Sequence, residues 1–82
     1  MTMTGIVDIL TVINREDPYP HKYVERYDGT TADLIMKIKD ACFKLPLYVS
    51  EDNINTIKDN LIHKGVYWFD ENYCFETISV VL

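Results

Sequence analysis

The sequence predicts an α+β domain in which two helices pack on a small antiparallel sheet that includes a C-terminal β-hairpin. Three observations predict it. Two mid-chain segments carry capping residues and apolar side chains at helical spacing. A β-branched run, GIVDILTVI, lies near the N-terminus. The segment GVYWFDENYCF crowds five aromatic residues around a polar tip, as two strands meeting at a turn would. At 82 residues, the chain is long enough for one modest core, so residues 1–82 are expected to form a single domain.

Gly5 to Ile13 is rich in β-branched residues and is apolar on both faces of a strand, as in a central buried strand. Ile6, Leu10 and Ile13 also keep helical spacing, with Thr4 as a candidate N-cap, so both conformations fit and the strand fits better. Asn14 to Lys22 reads as a surface connection, because Pro18 and Pro20 hold their neighbours extended. HKYVERYD then reads as an edge strand closed by the turn Asp28-Gly29.

The first helix starts at Thr30, which with Asp33 resembles a capping box. Leu34, Ile35, Ile38, Ala41, Cys42 and Leu45 make its apolar stripe, and Pro46 ends it. The second helix runs from an N-cap at Ser50 through Ile54, Ile57, Leu61 and Ile62 to Gly65, a natural left-handed terminator. Glu51 and Asp52 complement the positive end of its dipole; His63 and Lys64 complement the negative end.

In the hairpin from Val66 to Leu82, loop length decides which residues share a face. A two-residue loop, Glu71-Asn72, scatters the aromatics over both faces and needs two positive φ angles without a glycine. A three-residue loop, Asp70-Glu71-Asn72, with Asn72 left-handed, avoids that cost. It sets Phe69 opposite Tyr73 and Tyr67 opposite Phe75 on one face. The other face then carries Val66, Trp68, Cys74, Glu76, Ile78, Val80 and Leu82, and this more aliphatic side is expected to sit on the helices. The four-ring face is either core, stapled by cross-strand pairs, or a docking strip.

From Thr31 to Glu76, the order helix, turn, helix, hairpin resembles the winged helix-turn-helix domains, over a little more than half of the chain. The segment VSEDNINTIKDNLIHKGVY carries the likeness. Its Ser50, Ile54, Ile57, Leu61 and Gly65 resemble that family's recognition helix and the glycine opening its wing. The family resemblance implies a DNA-binding regulator. This chain departs from the pattern: the exposed helix face offers Glu51, Asp52, Asn55, Lys58 and Asp59 with no arginine to read guanine, and the wing tip is Asp70-Glu71. It is more similar to winged helices that bind proteins.

Charge sharpens that expectation. Residues 1–49 hold seven acids against six bases, and residues 50–82 hold six acids against two, so −4 of the net −5 lies in the C-terminal part. Phosphate backbones are repelled there. The expected function is a non-enzymatic acidic protein-binding module. Its concrete form is a small phage-type inhibitor occupying a basic nucleic-acid-binding groove of its target. The alternatives are a winged-helix DNA-binding regulator and a self-associating structural subunit, with Val81 and Leu82 or the aromatic face buried between copies. The expected partner is a protein with a basic surface; the expected contact residues are Tyr67, Phe69, Asp70, Glu71, Tyr73, Phe75, Glu51, Asp52 and Asp59.

Catalysis is not expected, and no cofactor or metal is. Gly5, Gly29 and Gly65 are isolated, so no phosphate loop exists. Cys42, Cys74, His21 and His63 lack zinc-ligand spacing. No segment has the roughly 20 apolar residues of a membrane helix. The opening MTMTGIVDIL has no basic n-region, so a cytoplasmic setting with reduced thiols is expected.

Overall fold

The computed structural model describes residues 5–82. Their order is β1 (Ile6–Asn14), β2 (His21–Tyr27), α1 (Thr31–Lys44), α2 (Glu51–Lys64), β3 (Val66–Trp68) and β4 (Tyr73–Val81). The four strands form one antiparallel sheet in the order β2-β1-β4-β3, and the two helices pack on it. The N-terminal run is therefore a strand, and Thr4, the alternative helix cap, lies outside the described residues.

The long strands β1 and β4 pair centrally from Ile6↔Val81 to Asn14↔Tyr73, which joins the two ends of the chain in the middle of the sheet. β2 is an edge strand, as its weak alternation implies, and its pairing with β1 skips Lys22 at a bulge beside Val12 and Ile13. The expected hairpin therefore forms the second edge of a larger sheet, with β3 outermost.

Local chemistry sets the helix ends. Ser50 Oγ accepts from the Asn53 amide at 3.2 Å, which satisfies one free donor at the start of α2. Gly65, at φ +76°, closes it by donating its amide to the Leu61 carbonyl at 2.9 Å. At α1, Thr30 Oγ1 accepts from the Asp33 amide at 3.1 Å. The reciprocal half of the expected capping box is absent, because the Asp33 carboxylate instead accepts from the Asp28 amide at 2.8 Å. An aspartate is one methylene shorter than the glutamate that closes such a box, and here it fastens the preceding turn.

The core is Leu10 and Val12 of β1, Tyr23 of β2, Phe75 of β4, and the stripes Leu34–Ile38–Ala41–Cys42 and Ile54–Ile57–Leu61. Ile62, expected on the second stripe, is half exposed. Tyr23 ties β2 to α1 by donating its hydroxyl to Asp40 Oδ2 at 2.8 Å. Burial, then that bond, pushes the Tyr23 phenol well above its ordinary value; the same bond, with Lys44, holds Asp40 below the usual carboxylate range.

The hairpin register is that of the three-residue loop: Tyr67↔Phe75, Trp68↔Cys74, and the Phe69 amide donating to the Tyr73 carbonyl at 2.9 Å. Its conformation differs from expectation, since among the described residues none other than glycine has positive φ and Asn72 is not left-handed. Asp70 performs the closure instead. Its Oδ1 accepts from the Asn72 amide at 2.7 Å and the Tyr73 amide at 2.8 Å, an Asx-type turn.

The larger correction concerns the faces. The aromatic side of the ribbon, and not the aliphatic side, meets the helices: Phe75 is fully buried, and Tyr67, Phe69 and Tyr73 pack partly buried against the core. Pairing decides this. Phe75 lies opposite Val12, and paired residues share a face, so the rings join the β1 face that the helix stripes bury. Trp68, Glu76, Ile78 and Val80 lie on the opposite side of the sheet.

Candidate docking site

The nine expected contact residues do not form one surface. Phe75 has no exposed area, so it is structural. Phe69 meets it edge-to-face, with ring centroids 6.4 Å apart and planes at 69°. The acids are partly committed to local work. Glu51 pairs with Lys39 across the two helices at 3.3 Å, and Asp59 pairs with its neighbour Lys58 at 2.7 Å. Asp70 holds the loop amides. Asp52 and Glu71 remain exposed, and neither carboxylate takes an ion-pair partner among the described residues.

A concave surface exists elsewhere. Where α1 hands over to α2, a cleft of about 420 Å³ is lined mainly by Cys42, Phe43, Leu47, Tyr48, Val49 and Ile54, with Lys39 and Glu51 at its charged rim. The sequence builds it in two steps. The helix stops because Pro46 cannot continue it, and the Leu45 and Leu47 amides donate back to the Ala41 and Cys42 carbonyls at 2.9 and 2.8 Å. Leu45 and Pro46 form a turn, and Leu47 to Ser50 then lead without regular structure into α2. Leu45, Leu47 and Val49 pack partly buried against the core, while Pro46 and Tyr48 are exposed.

Two large side chains at this cleft have little cover. Tyr48 is 93% exposed and Phe43 85%. Met36, one α1 position seven residues before Phe43, is also largely exposed. Isolated exposed apolar residues are ordinary; an aromatic pair on the walls of an apolar concavity matches the anatomy of a binding pocket. The signal was present in the sequence, since Met36 and Phe43 lie off the α1 stripe and Tyr48 off the set of Leu45, Leu47 and Val49.

Cys42 lies at the floor of the cleft, buried, with its thiol pushed up to about 11 by burial, so it is a protonated core residue at neutral pH. Burial raises the Cys74 thiol too, and the Glu76 carboxylate adds to it. Among the described residues, no group of three or more His, Cys, Asp or Glu side chains is placed to hold a metal ion. Nor is any described helix long and apolar enough to cross a membrane. No family model matches the chain, and no curated protein or solved structure matches it either.

Proposed function

We propose that this chain is a non-enzymatic protein-binding module that docks a partner segment carrying an apolar anchor beside basic side chains. The observation that carries the reading is the exposed Phe43–Tyr48 pair on the walls of the apolar cleft between α1 and α2. The anchor fills the cleft and is clasped by the two rings, the kind of contact that dominates binding energy. Basic residues flanking the anchor meet Asp52 and Glu51 at the start of α2, where Glu51 exchanges its exposed pairing with Lys39. Such an exchange is cheap, because exposed ion pairs contribute only about 0–1 kcal/mol.

The net charge of −5 supports the partner's basic character and speeds encounter with it. It also supports a narrower form of the reading, in which the target is a nucleic-acid-handling protein whose basic groove this chain occupies as an inhibitor.

The test is titration calorimetry against basic nucleic-acid-handling proteins, with two double variants beside the native chain. Phe43→Ser/Tyr48→Ser is expected to weaken binding at least tenfold, and Glu51→Lys/Asp52→Lys to weaken it and flatten its salt dependence. Undiminished binding by the aromatic pair variant removes the cleft from the mechanism. Retention of duplex DNA in a low-salt gel shift favours the winged-helix regulator instead.

A further inference from the structure

The sheet has a second apolar face, which the helices do not touch. An antiparallel sheet with one solvated side ordinarily alternates apolar inward and polar outward. β1 and β4 do not. Opposite the core, β1 presents Val7, Ile9 and Ile13 around a single Thr11, and β4 presents Ile78 and Val80 after Glu76. Trp68 on β3 is 48% exposed, Ile78 44%, Val80 40% and Val24 on β2 55%. Both central strands therefore carry sequences suited to cover on two sides, and one chain covers the second side only at its centre, where Thr11 and Cys74 are buried.

We propose that the open face is the interface of a symmetric dimer, covered by the same face of a second copy of this chain. The pairing register makes the face complementary to itself. In the central ladder Val7 lies beside Val80, Ile9 beside Ile78, Thr11 beside Glu76 and Ile13 beside Cys74. A two-fold axis running along the strands between β1 and β4 swaps those columns and keeps their height. Each β1 residue of one copy then lies over the same β1 residue's ladder neighbour in the other. Ile9 meets Ile78, Val7 meets Val80, and Thr11, the polar position of β1 on this face, meets the Glu76 carboxylate. Two sheets stack this way when their strands are nearly aligned, with inner side chains interdigitating.

Size and charge agree with a second copy as the occupant. The half-exposed side chains of the strip present on the order of 500 Å² of apolar surface, near the upper end for a lone monomer patch. A standard interface buries ~800 Å² per partner, so the apolar strip supplies more than half of that area and its polar margin has the rest to supply. Both arginines of the chain flank it, Arg15 lying 5.1 Å over the Trp68 ring and Arg26 beside Ile9, against the single carboxylate Glu76. The negative excess of the chain therefore lies on other surfaces, and two copies meet without opposing their acidic sides.

Sedimentation velocity of the native chain from about 1 to about 100 μM, the span over which a micromolar interface fills, is expected to show conversion from one to two chain masses. Added salt leaves the midpoint unchanged or tightens it, opposite to its effect on a basic partner at the cleft. Ile78→Lys is expected to keep the circular dichroism spectrum and sediment as one chain throughout. Val24→Lys, on the edge strand, gives the same outcome should Ile78→Lys not fold. Phe43→Ser/Tyr48→Ser is expected to leave dimerisation intact. A single-chain mass for the native protein at every concentration overturns the proposal, as does a dimer that survives whichever of the two lysine variants folds.

Discussion

The two faces of the sheet are nearly matched in apolar content and opposite in what covers them. Toward the helices, Leu10, Val12 and Phe75 have no exposed area. On the far side, Trp68, Ile78 and Val80 keep 40% or more of theirs. The same two strands supply both sets, at alternate positions. Hydrophobicity alone therefore does not say which face of a strand becomes core. The helices decide, by presenting the Ile38 and Ile57 stripes to the side where the rings of β3 and β4 have volume to fill.

The sharpest way to break this comparison is a matched pair of deletions on β4. Phe75→Ala removes a fully buried ring and is expected to cost about 3–5 kcal/mol. That is much of the stability of a domain this size, which at about 0.05–0.15 kcal/mol per residue has little reserve. Ile78→Ala, three residues on and facing away, is expected to cost about 1 kcal/mol or less in dilute solution. Urea unfolding at low protein concentration compares the two. Equal losses would mean that the faces are equally covered within one chain.

A smaller effect comes from pH. Tyr23 points to the helix side, where burial and its bond to Asp40 raise its pKa; burial and Asp8 raise that of Tyr27. For a raised pKa the native state holds its proton longer than the unfolded state does. The stabilisation is complete below the unfolded value near 10 and falls as pH climbs beyond it. Melting temperature is expected to drop above about pH 10, and to drop less steeply in Tyr23→Phe, which has no phenol to ionise. A native chain whose melting temperature stays level through that range would place Tyr23 in solvent.

Much of the fold was legible in the sequence because its signals are local. Thr30, Ser50 and Gly65 mark helix ends through bonds to their own neighbours, and the loop length sets the Tyr67–Phe75 register. The face of the hairpin was not legible. Period-two alternation sorts Phe75 from Cys74 but is silent on which side the helices take, and both sides are apolar. The conformation of Asn72 is not legible for a related reason: a left-handed residue is one way to close such a loop, and the Asp70 carboxylate provides another. Of the α2 acids singled out from the sequence, only Glu51 lines the cleft. Phe43 and Tyr48 stand out only in the structure, where the turn at Leu45-Pro46 and the connection after it create a concavity between two helices.

Hydroxyl-radical footprinting of the native chain at low and high concentration tests the inequality of the two faces most directly. In dilute solution Trp68, Ile78 and Val24 are expected to be oxidised readily and Phe75 to be protected, in line with their exposure. On concentrating the sample, Trp68 and Ile78 become protected while Phe43 and Tyr48 remain reactive. Rapid oxidation of Phe75 together with protection of Trp68 in the dilute sample would contradict that inequality, because the sheet would then face its helices with the other side.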